Sequence, residues 1–219
     1  VISPETVYSV LKAHYGWQQW WPAETDFEIM VGAILTQGTS WSNVEKAINS
    51  LKSNHALDLE KINEMPRGHL SQLIYSAGFH NVKADRLKSL SSYLVANFDG
   101  KIEAFRRLPT ATVRSQLLAI DGIGPETADA ILLYALGKSV FIVDTYTKRL
   151  FTRLGYVLEQ DTYNSWQTFV SSHIHRTTYT FQQYHALIVE HSKARCKSKP
   201  ICNGCPLASY CTYPSKKTR

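Results

Sequence analysis

Residues 118–128 read Leu-Ala-Ile-Asp-Gly-Ile-Gly-Pro-Glu-Thr-Ala and join two segments whose apolar residues recur at helical spacing. We expect Gly122 and Gly124 to adopt positive φ and leave backbone N–H groups uncovered. Pro125 is expected to begin the second helix, where its missing N–H costs nothing. Exposed amides at a helix N-terminus can grip a phosphate without reading base sequence. An ordinary helix-turn-helix corner would use the same residues, so the turn alone leaves both interpretations open.

Helical spacing continues along most of the chain and predicts an all-α fold. Ser3-Pro4-Glu5 is a helix start signal, and a second helix is expected to open near Thr25 or Asp26. The one strand-like run in the sequence, residues 139–143, is too short to make a sheet. The sequence contains no repeat at a fixed period and no low-complexity linker.

Composition excludes several classes of protein. With 219 residues, 44% of them hydrophobic, the chain can fill a core, which argues against wholesale disorder. No apolar run reaches the roughly 18–20 residues that a bilayer span needs. The sequence begins Val1-Ile2-Ser3-Pro4 without a charged-then-apolar leader, so we expect a soluble protein that is not exported.

The basic charge is concentrated at the C-terminal end. The net charge is +6, yet upstream of Lys193 acidic residues outnumber basic ones by one. The charges of Lys216–Arg219 suit a frayed, solubilising tail. Lys193, Lys197 and Lys199 instead border a cysteine cluster, where a rigid loop would hold them against phosphates.

All four cysteines lie within residues 196–211. They have the spacing Cys196-x5-Cys202-x2-Cys205-x5-Cys211, which brings four thiolates within reach of one centre. Two disulfides are disfavoured in a reducing compartment. Structural zinc is the main alternative, but zinc sites typically pair two Cys-x2-Cys knuckles and here there is one. The layout favours a [4Fe-4S] cluster.

Asp144 stands in Val143-Asp144-Thr145, immediately before another helical stripe. Taken alone, it is best interpreted as the N-cap of that helix.

Together, the Gly-rich turn at residues 122–128, Val143-Asp144-Thr145 and the closing four-cysteine loop resemble the helix-hairpin-helix DNA glycosylase superfamily, in its endonuclease III-like branch. Leu35-Thr36-Gln37-Gly38-Thr39 resembles the family's Gln-bearing helix end, and residues 78–84 resemble its mid-chain loop. The first cysteine interval of the type enzyme has six residues and here has five, a small departure. The resemblance implies two lobes, with a helical bundle over residues 22–136 that contains the hairpin, and a second lobe from residues 1–21 and 137–219 that holds the cluster loop.

The resemblance implies an enzyme that flips a damaged base out of duplex DNA and cuts its N-glycosidic bond. Asp144 matches the family's catalytic aspartate, a role compatible with capping. Bifunctional members carry a lysine where this chain has Glu126, and a carboxylate cannot form the imine that strand cleavage requires. We therefore predict a monofunctional enzyme without lyase activity. Glu126 is either a solvated first-turn acid or a pocket residue that would favour a cationic base.

The family also implies residues that contact DNA and the base. Gln37 and the Phe79-His80 pair are candidates for entering the duplex, with Phe79 as buried core the alternative, and Gly122, Gly124 and Thr127 are hairpin candidates. Trp20, Trp21 and Trp41 resemble the aromatic pocket of bacterial 3-methyladenine glycosylases, since indoles attract cationic rings. We expect Trp17 instead to pack a helix end against the core. In this scheme the cleft between lobes places Asp144 opposite the pocket tryptophans.

Two competing hypotheses remain. A mismatch glycosylase acting on adenine or thymine is one, although adenine-specific relatives usually carry an extra C-terminal domain and this sequence ends eight residues after Cys211. A non-catalytic iron-sulfur DNA-binding module is the other, and it would not need Asp144 or the tryptophans. We expect a monomeric, cytoplasmic, nucleoid-associated protein that binds double-stranded DNA. The sequence assigns no role to His173, His185 or His191.

Overall fold

The structure is a computed structural model that describes residues 1–213, so Lys216–Arg219, predicted as a frayed tail, lie outside the described residues. Residues 1–213 form helices and irregular segments without a β-strand, which confirms the all-α prediction. The strand-like run at residues 139–143 is irregular and buried in part. No helix in this span is long and apolar enough to cross a membrane.

The chain divides into two compact units. The first, which we call the hairpin unit, comprises Trp21–Lys138, and the second, the cysteine unit, comprises Val1–Trp20 together with the chain from Ser139 onward. The hairpin unit contains α2 (Asp26–Leu35), α3 (Trp41–Ser53), α4 (Leu59–Glu64), α5 (Arg67–Leu73), a 3₁₀ turn (Tyr75–Ala77), α6 (His80–Phe98), α7 (Ile102–Arg107), α8 (Thr110–Ala119), α9 (Pro125–Ala130) and a π-helical turn (Ile131–Ala135). The cysteine unit contains α1 (Pro4–Tyr15), α10 (Thr145–Arg153), α11 (Tyr163–Ser172), α12 (Thr178–Ala194) and a 3₁₀ turn (Ala208–Tyr210).

Side-chain caps set where the first helices begin. Ser3 accepts a hydrogen bond from the Thr6 amide at 3.1 Å, and Pro4 is the first residue of α1. Thr25 accepts one from the Glu28 amide at 3.1 Å and caps α2. Both starts are those that the sequence predicts.

Helix α2 lies at the centre of the hairpin unit. Most of its residues are buried, on several faces of the helix, as expected for a helix that is apolar nearly all round. Its C-terminal end leads directly into Gln37. The core of the hairpin unit therefore fixes where that side chain emerges.

The cysteine unit is built on α10 and α12, which pack against each other. Leu150 and Phe151 of α10 and Tyr184 and Leu187 of α12 are buried. This packing holds the N-terminal end of α10, where Asp144 lies, against α12.

Candidate functional site

Asp144 caps α10 and is nearly buried. Its Oδ1 accepts hydrogen bonds from the Thr147 amide at 2.7 Å and from Thr147 Oγ1 at 2.9 Å. The side chain is 11% exposed, and its Oδ2 lies 3.6 Å from Nε2 of His185. Burial on its own raises the pKa of Asp144, but the neighbouring His185 and the two Thr147 donors outweigh it, so the pKa lies below its ordinary value. The site thus holds a charged carboxylate in a largely dry position.

His185 is the site residue that sequence reasoning missed. It is 7% exposed on α12, within a mostly apolar stretch of that helix. Nothing in its local pattern distinguishes it from a core histidine. Only the packing of α12 on α10 brings it to Asp144.

The predicted hairpin forms between α8 and α9, with one correction. Gly122 has the expected positive φ of 78°, whereas Gly124 has φ −89° and ψ 177°. Gly124 is extended because it is the N-cap of α9, and cap residues take β-region angles. Arg114 and Asp129 join the two helices through bonds of 2.7 and 3.1 Å, so the hairpin is braced by an ion pair whose acid is fully buried.

Gln37 is tied to this hairpin. Its Nε2 donates to Thr127 Oγ1 at 2.8 Å and to the Gly122 carbonyl at 3.2 Å, while its Oε1 accepts from Arg86. Thr127 is itself buried. Both Gln37 and Thr127, predicted to contact DNA, therefore have their side-chain polar groups engaged inside the hairpin unit.

Phe79 and His80 have different environments. Phe79 has φ 46° and is 72% exposed, so the alternative prediction, that Phe79 is buried in the core, is wrong. A non-glycine residue held in the left-handed region is uncommon and is often found at functional loops. His80 Nδ1 is bonded to Ser71 Oγ at 2.6 Å, and its ring lies 4.8 Å from that of Tyr75. Phe79 is thus the member of the pair that projects.

A buried lysine fixes the loops that carry Gln37 and Phe79. Lys83 Nζ donates to the Leu35 carbonyl at 2.8 Å and to the Ala77 carbonyl at 2.7 Å. Burial lowers its pKa to about 8. A Cβ placed on Gly38 would lie 3.8 Å from the Phe79 ring, so the two loops lie side by side.

The tryptophans fall into two groups. Trp21 and Trp41 of the hairpin unit meet edge to face at 5.4 Å, and Trp41 Nε1 donates to Glu45 at 2.9 Å. With Glu28 and Lys52 they line a cavity of about 240 Å³. This cavity brings indoles and carboxylates together, with Lys52 Nζ 2.9 Å from a Glu28 carboxylate oxygen.

Trp20 and Glu126, predicted as pocket residues, are not among the residues that line this cavity, and Trp17 was predicted to pack against the core. Trp20 belongs to the cysteine unit, where Lys193 Nζ lies 5.3 Å from its ring centre and its own Nε1 is buried with no partner among residues 1–213. Trp17 is 61% exposed, so the expectation that it packs against the core is wrong, because α1 has already ended at Tyr15. Glu126 is exposed in the first turn of α9.

The four cysteines are free thiols that line one cavity together with apolar residues of the same unit. Within residues 1–213 no three His, Cys, Asp or Glu side chains converge as ligands of a single ion would. Arg153 Nη1 lies 3.3 Å from Cys196 Sγ, and Arg149 Nε donates to the Cys196 carbonyl at 2.8 Å. Four sulfur donors lining one cavity, with a guanidinium beside one of them, are the donor set that an iron-sulfur cluster or a structural zinc ion uses. The lysines predicted to face phosphates are exposed: Lys193, Lys197 and Lys199.

Comparison with known proteins assigns the class. Residues 31–174 match the family model described as HhH-GPD superfamily base excision DNA repair protein. The chain belongs to this superfamily, and the matches support a DNA glycosylase in base excision repair.

Individual relatives agree with this class. A Methanocaldococcus jannaschii protein with the provisional name DNA repair glycosylase is 45% identical over 207 residues, covering 94% of each chain. The H. pylori 3-methyladenine DNA glycosylase, solved with 1,N6-ethenoadenine, superposes with a TM-score of 0.78 at 29% identity, over 88% of this chain and 98% of that one. An endonuclease III–DNA complex shares the fold over the whole of both chains, with a TM-score of 0.84 and 20% identity.

Proposed function

We propose that the protein is a monofunctional DNA glycosylase that excises alkylated bases of the 3-methyladenine type from duplex DNA. The observation that carries the proposal is the charged, nearly buried carboxylate of Asp144 at the N-terminus of α10. Cutting an N-glycosidic bond develops positive charge on the sugar, and a fixed anion in a dry site stabilises that charge.

In this proposal the two carboxylate oxygens of Asp144 have separate tasks. Oδ1 accepts two hydrogen bonds from Thr147 and holds the side chain in place. Oδ2 accepts no hydrogen bond from Thr147 and lies 3.6 Å from Nε2 of His185; in the proposed reaction it would face the developing oxocarbenium ion and orient the attacking water. The result is hydrolysis, with the abasic strand left intact.

Glu126 supports the monofunctional part of the proposal. It occupies the hairpin position where the bifunctional relatives carry lysine, and it is exposed in the first turn of α9. A carboxylate has no nitrogen with which to attack the sugar, so no Schiff base can form there.

The substrate class is supported by the cavity of the hairpin unit. Trp21 and Trp41 offer indole faces and edges, and Glu45, which accepts a hydrogen bond from Trp41, supplies negative charge. Glu28 also lines the cavity, but its carboxylate is paired with Lys52 at 2.9 Å. A base that is already cationic gains about 0.5–2 kcal/mol from each such ring, whereas a normal base does not. The activity named for the H. pylori structure, 29% identical to this chain, agrees with that choice.

DNA binding in the proposal uses both units. The exposed Phe79 ring would fill the gap that the flipped base leaves, since flipping costs a few kcal/mol. The hairpin would grip a phosphate through its backbone amides, and Lys193, Lys197 and Lys199 would neutralise others.

We propose that Cys196, Cys202, Cys205 and Cys211 hold a [4Fe-4S] cluster. When bound, such a cluster would order the surrounding loop and take no part in hydrolysis, which involves no redox change. Arg153 already donates to the Lys197 and Ser198 carbonyls of this loop at 2.6 and 3.0 Å. The cysteine loop and α10 are therefore linked through the chain's own side chains.

The test uses purified protein and three duplexes: methylated, mismatched and undamaged. We expect free 3-methyladenine from the methylated duplex, strand breaks only after alkali, and no adduct trapped by borohydride. Release from the mismatched duplex alone would replace the substrate with a mismatch, and breaks before alkali would refute the monofunctional assignment. DNA binding without release of any base would leave a binding module instead of an enzyme.

A further inference from the structure

The buried imidazole of His185 has no part in the family resemblance, yet it lies against the proposed catalytic carboxylate. His185 is 7% exposed on α12, and its Nε2 is 3.6 Å from Asp144 Oδ2. This separation allows a strong electrostatic interaction, and a small rotation of either side chain would complete a hydrogen bond.

The imidazole and Thr147 lie against different oxygens of the Asp144 carboxylate. Thr147 engages Oδ1 with two donors, while His185 faces Oδ2, the oxygen that the proposed reaction needs. Two groups on two different helices, α10 and α12, thus lie against one carboxylate. A carboxylate fixed at both oxygens keeps the geometry that transition-state stabilisation requires.

Several other titratable groups of the neighbouring helices are committed elsewhere. On α10, Lys148 pairs with Asp161 at 2.9 Å and Arg149 donates to the Cys196 carbonyl. On α12, the Tyr184 hydroxyl donates to the Pro4 carbonyl at 2.7 Å, and His191 is bonded to Tyr15. The charged side chains of α1, which also packs on α12, are exposed.

We propose that His185 is a positioning residue for Asp144: it fixes Oδ2 and keeps the buried carboxylate charged during base excision. The proposal rests on the proposed function for its catalytic consequence and on the geometry of α10 and α12 for the contact itself. The direction of the Asp144 pKa agrees with it, because burial alone would raise that pKa and the surroundings of the carboxylate lower it instead.

The contact is tested in the free protein, without any substrate. The Asp144 carboxyl ¹³C signal, assigned by its loss in Asp144→Asn, is titrated in wild type, His185→Leu and His185→Gln. We expect His185→Leu to raise the Asp144 pKa by at least about one unit, the usual effect of removing a partner of opposite charge. His185→Gln, which restores a donor near Nε2, should recover part of that shift.

The matched control is His173→Leu, which makes the same change at an exposed histidine of the same unit. His173→Leu should leave the pKa of Asp144 at its wild-type value. If His185→Leu also leaves the titration unchanged, the proposal is overturned, whatever the enzyme does to DNA.

The catalytic consequence is measured by single-turnover base release between pH 4.5 and 8. In His185→Leu, the pH of half-maximal rate should rise by at least about one unit, with DNA affinity unchanged. If His185→Leu shifts the pKa of Asp144 but leaves the pH dependence of the base-release rate unchanged, the positioning role is overturned. Absence of base release by wild type would reject the proposed function, and the titration would still decide the contact.

Discussion

Replacing Gly122 by alanine tests whether the hairpin and the Gln37 loop are one assembly. A Cβ at this position would lie 2.3 Å from Cγ and 2.4 Å from Nε of Arg86, far inside van der Waals contact. The residue also has a φ of 78°, which costs an L-amino acid about 1–2 kcal/mol. Arg86 would have to move away, and its hydrogen bond to Gln37 would be lost.

These two effects set the expected magnitude. Overpacking a fitted site typically costs about 1–3 kcal/mol, and the strained backbone adds to that. We therefore expect Gly122→Ala to lower the stability of the fold by about 2–5 kcal/mol. For a chain of this size each kcal/mol shifts Tm by about 2–4 °C, so a drop of roughly 4–20 °C is expected.

Gly124→Ala is the matched control, because it makes the same chemical change two residues later in the same turn. Gly124 has a negative φ, and a Cβ there would meet no atom within 4 Å. Its Tm should change by no more than about 4 °C. Calorimetry measures the Tm of both variants. Equal changes in Tm for Gly122→Ala and Gly124→Ala would refute the reasoning, and so would a Gly122→Ala protein as stable as wild type.

Three further predictions follow from the same structure. Phe79→Ala should leave the stability of the fold within about 0.5 kcal/mol of wild type, because the ring is exposed. It should weaken binding to lesion-containing duplex by about 1–3 kcal/mol, measured by fluorescence anisotropy. Unchanged affinity would contradict insertion of the ring into the duplex. Asp129→Ala should cost about 1.5–3 kcal/mol in urea denaturation, since it removes the buried carboxylate that accepts two hydrogen bonds from Arg114, and a loss below about 1 kcal/mol would refute a bracing role. The pKa of Asp144 is lower in the folded protein than its ordinary value of 3.8, so the charged carboxylate stabilises the fold above pH 3.8 and this stabilisation is lost as the pH falls below that value. The difference in Tm between wild type and Asp144→Asn should therefore shrink from pH 6 to pH 3. A difference that grows on acidification would contradict a lowered pKa for Asp144.

The local features of the fold were readable from the sequence because they depend on nearby residues. Ser3-Pro4 and Thr25 mark helix starts through caps that lie three residues from the amides they satisfy. Asp144 was readable as an N-cap for the same reason.

Backbone angles and side-chain exposure were harder to predict from the sequence. Gly124 looks like Gly122 in sequence, but its place at the N-cap of α9 gives it an extended conformation. Phe79 and Trp17 are apolar, and their exposure depends on where their loops emerge from the fold. Apolar character alone does not distinguish a core ring from a projecting one.

Contacts between distant segments could not be predicted at all. The bonds that join Gln37 to Arg86 and to the hairpin, and the approach of His185 to Asp144, depend on helix packing that no local pattern records. These contacts bring the motif residues together into a site, and the motifs alone do not indicate them. They also show that Gln37 is engaged within the protein in this structure, which the motif did not indicate.

The central claim is that Asp144 performs the chemistry and not the binding. The most direct measurement is single-turnover base release from a methylated duplex by wild type and Asp144→Asn, with DNA affinity measured in parallel. Asparagine keeps the capping oxygen and removes the charge, so we predict a rate at least about 100-fold lower with affinity within about threefold. An Asp144→Asn protein that releases base at the wild-type rate, or one that loses DNA binding together with activity, would contradict the claim.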